Sequence, residues 1–312
     1  MVSAFRIRVI RASVFCPLAS LVTVSALQAP VQANQLTVVA VDGVLCDLTR
    51  TLVEADVNVV CLIQPGGDPH NYRLRPSDRE ALSKAALVLN NGFNLTPAAK
   101  KMRGTGQVVA VAELAMPDYN GSDPHVWHDP ANSAAMVAVI AERLAPVIPA
   151  SQRSALASRA ANASTILDAV GVWGGKQFAN LPKQQRVLAS EHQAYSHLAK
   201  RYGVRQITML DSFTTGGTLR PSSLRKITTE VKGSGARTLF PESLPSNKTL
   251  RRISRSTGLP INATPLFADG LAPGRSSVST ATLNICTVVN GQGGQCDQKG
   301  ADELVKRWAA IR

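Results

Sequence analysis

The amino-acid sequence predicts an α/β protein: two α/β lobes with parallel sheets, joined by a long rigid helix. Three features carry this prediction. Short β-rich apolar runs alternate with helical segments in the first half of the chain, and the alternation restarts at Arg186. The run Val57-Asn58-Val59-Val60-Cys61-Leu62-Ile63 is nearly continuous in apolar residues, as strands buried in a parallel sheet are. Between the two alternations lies a stretch of helical periodicity. No linker rich in glycine, serine or proline flanks it, so the lobes are joined rigidly rather than tethered.

Residues 36–41 read as the first strand, 45–53 as a helix and 57–63 as the second strand. A loop with two glycines and a proline follows. Ser77 and Asp78 then cap a helix that carries Glu80 in its first turn. Residues 86–89 form a third strand, ending at Asn90-Asn91-Gly92, and 108–111 a fourth. Residues 131–148 are helical. The stretch 151–181 is the connecting helix, with Leu156, Ala160, Ala163, Leu167 and Val170 at helical spacing. Gly171, Gly174 and Gly175 weaken its last turns by about 1 kcal/mol each relative to alanine. In the second alternation, 186–189, 205–210, 238–240 and 263–266 read as strands. Residues 194–202, 221–232, 246–257 and 302–311 read as helices. The resulting division is 1–33 targeting segment, 34–150 first lobe, 151–181 connecting helix and 182–312 second lobe.

The first 33 residues read as a signal peptide. Arg6, Arg8 and Arg11 form a basic region, 12–27 are apolar, and Pro30-Val31-Gln32-Ala33 offers small residues for cleavage near Ala33. The apolar run is short for a membrane span, which needs roughly 20 residues. Cys16 lacks the small-residue context of a lipid-attachment site, so the expectation is a free periplasmic protein. Removing residues 1–33 lowers the formal net charge from +13 to +10. The basic residues are scattered, the densest group being Arg251, Arg252 and Arg255. Aromatics are only 4% of the chain, so no stacking surface for nucleic acid is expected. Cys46, Cys61, Cys286 and Cys296 remain after cleavage, an even count that suggests disulfides in an exported chain. Three pairings are possible; the local ones, Cys46 with Cys61 and Cys286 with Cys296, are favoured.

All five histidines lie in or after short motifs that follow strands. His70 is in Gly67-Asp68-Pro69-His70. His125 and His128 are in Asp123-Pro124-His125-Val126-Trp127-His128. His192 and His197 follow the first strand of the second alternation. Sites in open α/β sheets form beyond the carboxyl ends of strands, so loops from both lobes can converge in a cleft. Three imidazoles offer borderline-soft nitrogen donors of the kind zinc accepts. Asp269, after the 263–266 segment, is the candidate fourth ligand, although an aspartate before a glycine is also a common turn residue. No HExxH and no GxSxG motif is present. A site closed by four protein ligands carries a metal rather than activating a water, so no enzyme is expected; a secreted zinc hydrolase is the remote alternative.

These motifs resemble the metal-binding solute-binding proteins of ATP-binding-cassette importers, in the cluster that carries zinc or manganese. The resemblance rests on Gly67-Asp68-Pro69-His70 with Tyr72 and Pro76-Ser77-Asp78, Asn91-Gly92, Asp123-Pro124-His125-Val126-Trp127 with Asp129-Pro130, His192-Gln193-Ala194-Tyr195, Arg201-Tyr202-Gly203, Phe240 with Glu242, and Asp269-Gly270-Leu271. It implies a metal site between two lobes with His70, His125, His192 and Asp269 as ligands. Histidine at the third of these goes with zinc in such proteins, and glutamate commonly goes with manganese. The implied partner is an ABC-type permease of the inner membrane, and the protein is expected to be a monomer. Three departures stand out. His128 occupies a usually apolar position, where a partly exposed helix-start histidine is expected over a residue that supports the ligands or an alternative ligand. The histidine-rich loop of many zinc-specific members is absent, which leaves manganese or broad specificity open. The tail 276–300 matches poorly. His197, five residues past His192, is read as structural or exposed.

Overall fold

The computed structural model describes residues 1, 2, 4, 35–210, 212–213 and 221–311, so the targeting segment of residues 1–33 lies almost wholly outside the described residues. The first sheet is built from β1 (Thr37–Ala40), β2 (Asn58–Cys61), β3 (Leu87–Asn90) and β4 (Gln107–Ala110). Its order is β2-β1-β3-β4 and every pairing is parallel. Val38, Val39 and Ala40 of the central β1 are fully buried, as the continuous apolar run requires. α1 (Gly43–Leu52) and α2 (Pro76–Lys84) are the crossovers on either side of β2, and the short α3 (Val111–Ala115) leaves β4. The second sheet pairs β5 (Val187–Ser190) with β6 (Arg205–Thr208), also in parallel.

Between the sheets run α4 (Pro130–Leu144) and α5 (Arg153–Ala179). α5 has 27 residues, about 40 Å at the usual rise. Leu156, Ala163, Ile166, Leu167, Val170, Trp173 and Phe178 of this helix join one core with residues of α1 and α4 and of two later helices, α9 (Ser277–Gly291) and α10 (Gln298–Ala309). The glycines near its end are used unequally. A Cβ on Gly174 would stand 2.7 Å from the Tyr202 hydroxyl and 2.9 Å from Ile285, whereas one on Gly175 would meet nothing within 4 Å. Gly174 thus lets α9 and α6 (Ser196–Tyr202) approach the helix closely.

Several sequence expectations change. α2 is capped by Arg75, not Ser77: Pro76 takes the first helical position, and Asp78 reaches back to the Arg75 N–H at 2.7 Å. Segment 238–240 forms only an isolated parallel bridge, Leu239 with Ile261, although the Phe240 N–H still donates to Ala189 at 2.9 Å. Segment 263–266 is not a ladder strand. Pro265 lies within it and Pro260 shortly before it, and each lacks the N–H a ladder needs. α9 was not expected at all. Its sequence, SVSTATLNICTVVNG, is rich in β-branched and small polar residues and has low helix propensity. It is helical because burial against α5 and α10 overrides propensity, with Ser276 and Ser279 forming a reciprocal cap.

Both local disulfides are formed: Cys46 in α1 with Cys61 in β2, and Cys286 in α9 with Cys296. α7 (Pro221–Lys232) and α8 (Lys248–Thr257) complete the second half and cover a smaller core around Val187, Ala189 and Ile207. No helix among the described residues is long and apolar enough to cross a membrane. From Gln35 onward the chain is one compact unit.

Candidate metal centre

Loops that follow strands, a short helix or an extended segment place the predicted residues. His70 follows β2, His125 follows β4 and α3, and His192 comes two residues after β5. Asp269 follows an extended segment whose Leu266 N–H donates to Pro241 at 2.7 Å. The repeated Asp-Pro-His triplet has a local cause. Asp68 accepts the His70 N–H at 2.8 Å and Asp123 accepts the His125 N–H at 3.0 Å, so each aspartate folds its own loop and presents the histidine two residues on. Gly66 opens the first loop at φ +83°, a left-handed conformation that glycine adopts without strain.

The structure brings His70, His125, His192 and Asp269 together, with one potential ligand atom from each lying within 4.8 Å of all the others. His70 Nε2 is 3.1 Å from His125 Nε2 and 3.0 Å from Asp269 Oδ1. His125 Nε2 and His192 Nε2 lie 3.1 and 3.3 Å from the same oxygen. A tetrahedron with Zn–N near 2.0–2.1 Å has edges of about 3.3–3.4 Å, so these separations suit a small cation at the centre. The imidazoles are buried, His125 completely, while the Asp269 side chain keeps 19% exposure. That carboxylate faces a cavity of about 460 Å³ also lined by Asp68, Glu191 and Glu242.

Tautomers decide what the nitrogens can do. A carboxylate only accepts, so His125 Nδ1 must donate to Asp123 at 2.7 Å, and His192 Nδ1 must donate to Glu242 at 2.5 Å. The Nε2 atoms of neutral His125 and His192 are then lone pairs aimed at one point beside a carboxylate. His192 Nε2 is buried, and the oxygen it faces is that of Asp269 at 3.3 Å. Lone pairs brought this close are suited to sharing a proton or a metal ion.

The electrostatics agree. Burial alone would raise the Asp269 carboxyl, but hydrogen bonds from the imidazoles outweigh it and hold it well below the ordinary carboxylate range. Burial would depress His192, yet the Asp269 and Glu242 carboxylates lift it to about 10. His125 is likewise raised against its burial, by Asp123 and Asp269. Without a metal, the cluster therefore retains protons that an arriving cation must displace.

Sequence reasoning assigned no role to two supporting residues. Glu242 accepts the backbone N–H groups of Glu191 and His192, each at 3.2 Å, as well as the His192 ring. Asp123 accepts the Ser196 N–H at 3.0 Å and so ties the His125 loop to the start of α6. The motif positions of both were visible; their partners, 50 and 73 residues away, were not. His128 is not the partly exposed residue expected. It is buried, its Nε2–H donates to the Ala268 carbonyl at 2.9 Å, and burial pushes it down to about 3, so it stays neutral. His197 is buried and structural, with Nε2 3.1 Å from the Asp123 carbonyl.

The family model for the periplasmic component A of the zinc-uptake complex, ZnuA, matches residues 38–284. The chain belongs to this family. Its members are substrate-binding components of ABC-type metal transporters, not enzymes, and work with a permease. Among similar proteins, the zinc-binding protein TroA of Treponema pallidum is 27% identical over 270 residues, covering 81% of this chain and 87% of TroA. The metal ABC transporter substrate-binding lipoprotein ScbA of Streptococcus cristatus is 24% identical, covering 83% of this chain and 89% of ScbA. The solved structure of TroA superposes with a TM-score of 0.75 at 24% identity, covering 83% of this chain and 99% of that one. Fe(III)-bound YtgA of Chlamydia trachomatis gives 0.77 at 20% identity, covering 84% and 99%. These structural likenesses bear on the fold: α/β, with parallel sheets and a long helix.

Proposed function

We propose that the protein captures zinc in the periplasm through His70, His125, His192 and Asp269 and delivers it to an ABC permease of the inner membrane. The single observation that carries this reading is the convergence of the four ligand atoms within 4.8 Å. Three neutral nitrogens and one carboxylate oxygen complete a tetrahedral set that leaves no position for substrate water, which suits carriage rather than catalysis. The donor set favours zinc over harder cations. On this reading, residues 1–33 are removed on export, residues 34–150 and 182–312 act as the two lobes about helix 151–181, and the protein works as a monomer. Metal reaches the centre from the acidic cavity on the Asp269 side, where Asp269 is the most exposed of the four.

Manganese is a second reading with specific support. One relative, 24% identical, is the manganese ABC transporter substrate-binding lipoprotein PsaA of Streptococcus anginosus. Titration of the purified protein with zinc is expected to saturate at one ion per chain, and His70→Ala to weaken binding by two orders of magnitude or more. An unchanged affinity in that variant would remove the assignment. Competition between zinc and manganese at equal free concentration separates the two readings.

A further inference from the structure

The backbone that carries Asp269 is gripped from two sides. From α9, Asn284 accepts the Phe267 N–H at 3.0 Å and donates to the Phe267 carbonyl at 3.0 Å. From the other half of the chain, His128 donates to the Ala268 carbonyl at 2.9 Å, across 140 residues of sequence. Both side chains are buried, His128 at 7% exposure and Asn284 at 2%. The His128 ring is held by the Tyr195 ring, 4.5 Å away between centroids, and by Trp127 at 5.5 Å. Behind the loop lies a void of about 20 Å³ lined by His128, Asn284, Gly270 and Leu271. That is room for about one water. Removing the His128 ring would enlarge this void beside Gly270.

We infer that His128, which is not a ligand, is a positioning residue: with Asn284 it clamps the Phe267–Ala268 backbone and so fixes where Asp269 presents its carboxylate to the metal. The inference rests on the proposed metal-binding function. It gives a reason for the one histidine of the His125 motif that points away from the centre. It also makes the Asp269 loop, a segment of the second half, answerable to a residue of the first. Outer hydrogen-bond partners of metal ligands commonly contribute about 10–100-fold to metal affinity.

The test is a double-mutant cycle with zinc and cobalt on the whole protein. His128→Leu is expected to weaken zinc binding by about 10–100-fold and to alter the visible absorption of the bound cobalt. His128→Gln, which keeps an N–H near the same place, is expected to recover most of the affinity. In an Asp269→Ala background the same His128→Leu change is expected to have little effect, because the group it positions is gone. Should His128→Leu not fold, Asn284→Ala takes its place in the cycle. Equal zinc affinity in wild type and variant overturns the inference, as does an equal fold-loss with and without Asp269, which would mark the role as general stability. Absence of zinc, manganese and cobalt binding in the wild type would instead overturn the metal-binding function itself.

Discussion

Asp123 and Glu242 do for the imidazoles what no ligand can do for itself. Each accepts the Nδ1–H of one histidine and thereby leaves Nε2 as a lone pair facing the centre. Glu242→Ala is therefore predicted to weaken zinc binding by about 10–100-fold, measured by chelator competition, with the fold intact by circular dichroism. The charges give the pH dependence its sign. His192 is lifted to about 10 in the metal-free protein, so at neutral pH it carries a proton that zinc must expel. Affinity is predicted to rise with pH up to about 10, by about tenfold per pH unit for each proton displaced. Calorimetry in buffers of different ionisation enthalpy reads that proton directly, and a proton count of zero would contradict the assignment. The metal-free fold runs the other way. The stability from protonated His192 is complete below its ordinary 6.5 and is lost as pH rises through about 10. At this scale, the three histidines that converge were legible because loop histidines after strands are conspicuous, whereas Asp269, an aspartate before a glycine, reads equally as a turn residue. Glu242 and Asn284 were not, since their work lies in partners brought close only by the fold.

The elements show where local signals are enough and where they fail. β1 to β4 were readable within a residue or two because parallel strands are short apolar runs, although β2, whose run 57–63 reads as a buried strand, lies with β4 at the sheet edges and is only partly buried. α9 was invisible because Thr, Ser, Asn and Val at its positions argue against a helix, and only its neighbours make it one. The extended segments around Leu239 and Leu266 were over-read as strands, because the prolines at 260 and 265 limit pairing to single bridges and lone hydrogen bonds. The glycines of α5 make a paired prediction. Gly175→Ala is expected to stabilise the protein by roughly 0.5–1 kcal/mol, since the added methyl meets nothing and helix propensity improves. Gly174→Ala is expected to destabilise it by roughly 1–3 kcal/mol, because its Cβ is forced against the Tyr202 hydroxyl and Ile285. Urea denaturation of the two variants checks the opposite signs; equal effects would mean that α5 is not the close-packed spine described here.

On the scale of the molecule, the centre takes two ligand candidates from before α5 and two from after it. Residues of that helix share one core with α1, α4, α9 and α10, so the halves meet across a packed spine. A rigid frame suits preorganised loops that close on a cation with little cost in ordering. The protein as a whole is basic, with a formal net charge of +13, yet the cavity over Asp269 gathers Asp68, Glu191 and Glu242. An arriving dication therefore meets local negative charge on a positive molecule. The central claim is that one cation sits among those four side chains. X-ray absorption of the zinc-loaded protein tests it most directly. The account predicts one zinc per chain in a four-coordinate nitrogen and oxygen shell near ~2.0–2.1 Å, with imidazole scattering that diminishes in His192→Ala. A six-oxygen shell, or a spectrum that the substitution leaves unchanged, would contradict it.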